Sequence, residues 1–261
     1  MVVNEDIGPI LEGWPLGEGS NVRKIVGADG TEKVQIRVLL QGFHGILQFN
    51  CDGRPDGQRP HGREFALDHY EELARRQSKA SGSLEPFTLT HEQAAELFEE
   101  SSITYQRYIV LLQMNDYQRV IRDTARNMEL FRFVAEHAAE PDDRKQLAKW
   151  WPYIIRIHHT ARIMLRLEEE DYSAAMNIVE EGRGELEELA PQDDETFTIE
   201  MARSKKALDE LEKAIDDRRP LSELELLERE RDEAVRREDY ERAAELRDRI
   251  QDLKQQGEQP H

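Results

Sequence analysis

The chain has 261 residues, of which 35% are charged and only 38% hydrophobic, with a formal net charge of −19. That length allows one large domain or two modest ones, and the charge suits long amphipathic helices with solvated outer faces better than a compact α/β enzyme. The acidic surplus repels nucleic acid and anionic membrane in general, though a local basic patch stays possible, and a lone cysteine, Cys51, excludes an internal disulfide framework or a Cys-rich zinc module.

Residues 1–20 carry Gly and Pro without periodicity and are expected to form an irregular lead-in. The opening stretch has neither a basic n-region nor an apolar core of signal-peptide length. No window approaches the roughly 18 apolar residues of a membrane span. A soluble, cytoplasmic protein with no membrane partner is therefore expected. Residues 21–77 read as a small antiparallel β-meander plus a helix. Val22–Val26 is a short strand, Ala28-Asp29-Gly30 a turn, and Lys33–Leu40 alternates as a half-buried strand should. Gly42 and Gly45 bracket a second turn, Ile46–Cys51 is the third strand, and Phe65–Gln77 is the helix.

Residues 78–89, with Ser81-Gly82-Ser83 inside, read as a linker. Residues 90–218 form a helical-hairpin domain, TPR-like or a bundle. Thr90-His91-Glu92-Gln93 is a capping box for its first helix. A helix from Asp142 or Asp143 must kink or divide at Pro152, which lacks a backbone donor. A last pair of helices, Leu221–Arg237 and Tyr240–Gln255, makes a terminal hairpin over 219–256, before a short tail, 257–261.

An Asp-Tyr step recurs at three helix corners: Asp116-Tyr117, Asp171-Tyr172 and Asp239-Tyr240. Asp can accept the first free amides of the new helix, and Tyr can pack back across the corner. The step resembles the corner of tetratricopeptide repeats, but its intervals of 55 and 68 residues do not fit their period of about 34.

The stretch from Glu238 to Leu253, EDYERAAELRDRIQDL, closely resembles the second helix of the UVR (UvrB/UvrC-type) motif. That pattern runs acidic-aromatic-Glu-x-Ala-Ala-x-x-Arg-Asp-x-Ile-x-x-Leu. Leu224, Leu227, Ala234 and Val235 stand where the motif's first helix is apolar. Tyr240 replaces the usual Phe, and Val235 stands where a second Ala is common. The likeness covers about 35 residues. It implies a module for protein–protein contact, as between UvrB and UvrC in nucleotide excision repair, or in proteins linked to Clp-type chaperone–proteases. Read from the residues alone, Tyr240, Ala243, Ala244, Arg247, Ile250 and Leu253 fall on one helical face. Two such short helices bury too little to stand unaided, so the leftover apolar edge is expected either to pack on the preceding helices or to pair with another hairpin in a four-helix arrangement, with Arg247 and Asp248 setting register across the contact.

Two other clusters invite a site. The loop from Cys51 to Arg63 carries Asp52, Arg54, Asp56, Arg59, His61 and Arg63 on rigid turns, and is either a ligand loop for a small anion or a plain strand-to-helix connection. Cys51, His61 and His69 lack a compact pair at zinc spacing, so no metal is expected. After Pro152, Arg156, His159, Arg162 and Arg166 form a basic stripe able to touch phosphates. The acidic stretch from Glu168 to Glu200 offers them nearer partners. His158-His159 reads as part of that helix surface, Trp150-Trp151 as a helix-junction anchor, and Tyr105, Tyr108, Leu111 and Leu112 as core. No phosphate-binding, metalloprotease, serine-hydrolase or kinase template is met, and no cofactor is implied.

The sequence thus predicts a mainly α, non-enzymatic adaptor whose UVR-like hairpin docks on a UVR-bearing, Clp-type or repair protein, or on a second copy. A repair accessory using the basic stripe on nucleic acid is the alternative. A sensor of small anions through the 51–63 loop is the third reading.

Overall fold

A computed structural model describes residues 6–14, 21–79, 86–221 and 223–257. The expected linker around Ser81-Gly82-Ser83, most of the tail and much of the lead-in lie outside those residues. Contacts divide the chain into two compact units, Met1–Glu212 and Lys213–His261.

The first unit opens with a short helix, α1 (Gly8–Glu12), inside the stretch expected to be irregular; Pro9 sits in its first turn, where a missing N–H is no loss. Strands β1 (Val22–Val26), β2 (Glu32–Leu40) and β3 (Phe43–Asn50) follow as an antiparallel sheet in that order. Val22 pairs with Ile36, and Ile36 with Leu47. The β2–β3 turn is tighter than expected. Gln41 and Gly42 alone make it, with φ of 49° and 87°, the doubly left-handed geometry that matches strand twist. Gly45 therefore lies within β3 and not beyond the turn.

One face of the sheet carries Val22 and Val34 into a core shared with Cys51, Tyr108, Leu111, Val120, Ile157 and Ala161. The meander and the helices are thus halves of one packed interior. The same face runs on past the core to Leu40, Phe43 and Leu47, all exposed.

The helices are α2 (Ala66–Lys79), α3 (His91–Gln113), α4 (Tyr117–His137), α5 (Pro141–Ala148), α6 (Trp151–Glu168), α7 (Tyr172–Glu187) and α8 (Glu195–Arg218). The capping box is present: Gln93 N donates to Thr90 Oγ1 at 3.4 Å, and Thr90 N to Gln93 Oε1 at 2.9 Å. Pro152 divides rather than kinks, because it falls in the first turn of α6. The second unit holds α9 (Glu223–Arg236) and α10 (Tyr240–Gly257).

The three Asp-Tyr corners share one construction. Asn115, Glu170 and Glu238 take φ of 58°, 57° and 62°. The next amide, of Asp116, Asp171 or Asp239, then reaches back five residues to a helix carbonyl at 2.9 Å. The Asp side chains accept from Arg119 N, Ala174 N and Arg242 N. Each old helix end is thereby closed by its backbone, and each new start by a carboxylate. Tyr packs back as expected at Tyr117, which is buried, but Tyr240 is 68% exposed.

Beneath the sheet lies a sealed ion pair. Arg107 and Asp123 are 0% and 1% exposed, joined bidentately at 2.6 and 2.8 Å. The third guanidinium nitrogen donates to the carbonyls of Asn50 and Gly53, at 3.1 and 2.5 Å. Alongside, Arg54 meets Glu100 at 2.6 Å, and Glu100 also accepts from the amides of Ala66 and Leu67. Substituting Arg107→Met removes the buried partner of Asp123, leaves it only the half-exposed Arg122 at 2.9 Å, and should cost up to about 3–5 kcal/mol of stability. The double variant with Asp123→Leu should recover part of that loss, both measured by urea denaturation.

Candidate functional site

The terminal hairpin closes on itself through Leu227, Ala234, Ala243, Leu246 and Ile250, flanked by Leu224 and Leu253. Each fully buried Leu or Ile contributes roughly 1.5–3 kcal/mol. Ion pairs line both sides of this seam. Arg242–Glu230 at 3.8 Å and Arg249–Glu223 at 4.0 Å run along one side, and Lys254–Glu228 at 2.9 Å along the other. At 3.6 residues per turn, Val235, Tyr240, Ala244 and Arg247 fall on the Lys254 side. Val235 is 48% exposed, Tyr240 68%, and Ala244 is exposed. Arg247 pairs only with the neighbouring Asp248 among the contacts described, at 2.8 Å.

The single face expected from the sequence is therefore split in two. Ala243, Ile250 and Leu253, with Leu224 and Leu227, serve the hairpin's own seam, whereas Tyr240, Ala244, Arg247 and Asp248 lie outside it. The cause is Leu246, which is 1% exposed and centres the inward arc of α10. The sequence reading passed over it, although the 243-246-250-253 spacing of a helical seam carries the signal.

The basic stripe is engaged with acidic neighbours. Arg156 meets Glu200 at 2.7 Å, Arg162 meets Glu181 at 2.7 Å, and Arg166 pairs with Glu169. His159 does not belong to a helix surface: it is 0% exposed and 3.3 Å from Glu185. It gets there because α7 approaches through Gly182, where an added Cβ would stand 3.1 Å from His159 Cγ. His158 turns to Thr124, its Nδ1 2.8 Å from the hydroxyl. Burial first, then the neighbouring His159 and Arg162, lower its pKa to about 4.

The 51–63 loop is likewise paired inward. Arg54 bridges Glu100 and Asp56, His61 meets Glu96 at 3.0 Å and stacks on His69, and Arg63 pairs with Glu72. Asp52 is held by Arg119, at 2.7 Å, and by Arg122; these guanidiniums lower its pKa to about 2. Arg59 is exposed. Cys51 is fully buried, and that burial raises its thiol pKa. Among the described residues no group of three or more His, Cys, Asp or Glu is placed to hold a metal ion, and no helix is long and apolar enough to cross a membrane.

Two aromatic side chains depart from expectation. Tyr105 is 43% exposed and Trp150 39%; only Trp151 acts as a junction anchor, edge-on to Phe131 at 5.4 Å.

With this geometry in place, comparison with known proteins locates one family: the UvrB/uvrC motif (UVR) matches residues 222–256, the hairpin itself. The chain matches no curated protein and no solved structure.

His158 should leave a pH signature. Its folded-state pKa is depressed, so the stabilising effect of keeping it neutral is complete above about pH 6.5 and is lost as pH falls toward 4. Replacing it by Gln, which can still bond Thr124, should flatten the decline in thermal midpoint between pH 6.5 and 4.

Proposed function

We propose that this chain is a non-enzymatic adaptor whose UVR hairpin docks on another protein, either a second UVR-bearing hairpin or a comparable helical surface. The observation that supports this is the fate of the third Asp-Tyr corner. Tyr117 closes its corner and is buried, while Tyr240, in the same position, is 68% exposed. Val235 and Ala244 lie on the same side of the hairpin, so an apolar strip is left over after the seam has closed. A large ring that stays in water beside a small residue suits a helix-pair partner. The ring supplies area, and the small residue permits close backbone approach. Two hairpins joined along such sides make a four-helix arrangement.

Arg247 and Asp248 stand at the rim of that strip, where charges set register and association rate more than affinity. The partner classes that the motif suggests are UVR-bearing repair components, proteins of Clp-type machines, and a second copy of this chain. The engaged basic stripe lends no support to a nucleic-acid reading, since contact with phosphates would first have to break Arg156–Glu200 and Arg162–Glu181.

Ala244→Glu should abolish docking with helicity unchanged, because Ala244 lies outside the seam. Leu246→Glu should open the hairpin and lose helical signal. Titrating the full chain against a UVR-bearing protein, and sedimenting it alone for self-association, measures both effects. Binding that survives Ala244→Glu, or no association of the native chain in either experiment, would refute the proposal.

A further inference from the structure

The first unit contains a half-open pocket of about 340 Å³ bounded by α3, α4, α5 and the start of α6. We propose that it is a binding site for a small planar aromatic molecule that carries a hydrogen-bond donor, a function separate from hairpin docking and independent of it.

Size and lining point the same way. Small-molecule sites span roughly 300–1,000 Å³ and are mostly apolar with a few placed polar groups. This one sits at the small end, fit for one fused or substituted ring. Its walls are aromatic. Tyr105 stands 5.5 Å from Tyr108 and 5.8 Å from Tyr153, and Trp150 is 6.2 Å from Tyr153, all edge-on. Such rings offer further edge-to-face and offset contacts to an entering ring, each worth about 0.5–1.5 kcal/mol beyond the area it covers. Tyr105 and Trp150 stand partly exposed at the mouth of the pocket, and an occupant would cover both.

The polar requirement comes from Asn127. This side chain lines the cavity and is 1% exposed. Its amide donates to the Ser101 carbonyl at 3.0 Å, and the Tyr108 hydroxyl stands near the same amide. Its Oδ1 accepts no hydrogen bond. A buried acceptor left so costs about 1–3 kcal/mol, and an N–H or O–H from an occupant removes that penalty. The unsatisfied atom is an acceptor, so the complementary group is a donor. Aromatic walls also attract cations, but the lining includes Lys149 and no carboxylate. The occupant is therefore neutral or anionic.

The test uses the full-length chain and three probes: indole, which has an N–H; 1-methylindole, which lacks it; and benzyltrimethylammonium, a cation. Affinity is read by titration, and location by the NMR signal of the Trp150 side chain. Indole should bind at one saturable site and shift that signal, 1-methylindole should bind at least about tenfold more weakly, and the cation should not bind. Ser102 is exposed at the cavity lining, so Ser102→Trp should plug the site and abolish indole binding with the thermal midpoint unchanged. A missing or non-saturable response to indole, equal affinities for the two indoles, preference for the cation, or undiminished binding in the plugged variant would each overturn the proposal.

Discussion

The first unit depends on a single guanidinium. Arg107 is shut off from water and spends its donors on Asp123 and on two carbonyls of the loop that leaves β3. A buried charge tolerates little displacement, since losing one partner exposes the desolvation cost of the other. The register of α3 against α4 and the path of residues 50–53 are therefore fixed together. Glu100 repeats the device about two helical turns away, gathering Arg54 and the first amides of α2. The sheet is thus fastened to the helices by its exit loop as well as by the shared apolar core, and Asp52 and Arg54 of that loop are engaged in the fastening.

The hairpin is built on the opposite principle. Its seam is apolar and its ion pairs are solvent-facing, each worth at most about 1 kcal/mol. Nothing in it anchors a charge. It is specified by the spacing of Leu227, Ala234, Ala243, Leu246 and Ile250 and by the Asp239 corner, which leaves its outer side free to vary in composition. That separation of folding residues from surface residues lets a short module keep Val235, Tyr240 and Ala244 on its outside without disturbing its seam.

The sequence disclosed what is local. The strand at β2, the Thr90 box, the Asp caps and the division at Pro152 each rest on neighbours within a few positions, and the UVR pattern needs only one hairpin. The half-buried alternation of β2 is not kept, since Gln35 and Arg37 are buried as well. What it hid is long-range. Arg107 is 16 residues from Asp123 and 57 from Asn50, and no periodicity predicts that meeting. Gly182 owes its place to His159, on another helix and 23 positions away. The residues read as one face of α10 divide between seam and outer side, because two plausible arcs share Ala243 and Ile250, and Leu246 decides which of them is buried. Exposure of Tyr105 and Trp150 depends on how four helices leave a gap.

Strand β3 has a consequence of its own. Its sequence, FHGILQFN, contains no Asp, Glu, Lys or Arg, and no described strand pairs its outer edge. Sheet edges are ordinarily guarded by lysine, proline or a bulge. Here the mutual repulsion of molecules bearing nineteen excess negative charges acts as a guard. That protection is collective and weakens with ionic strength, since counterions screen it within about 8 Å at physiological salt. The colloidal behaviour of this protein thus depends on its surroundings as well as on its fold: dilute buffer preserves the repulsion between neighbouring edges, and concentrated salt weakens it.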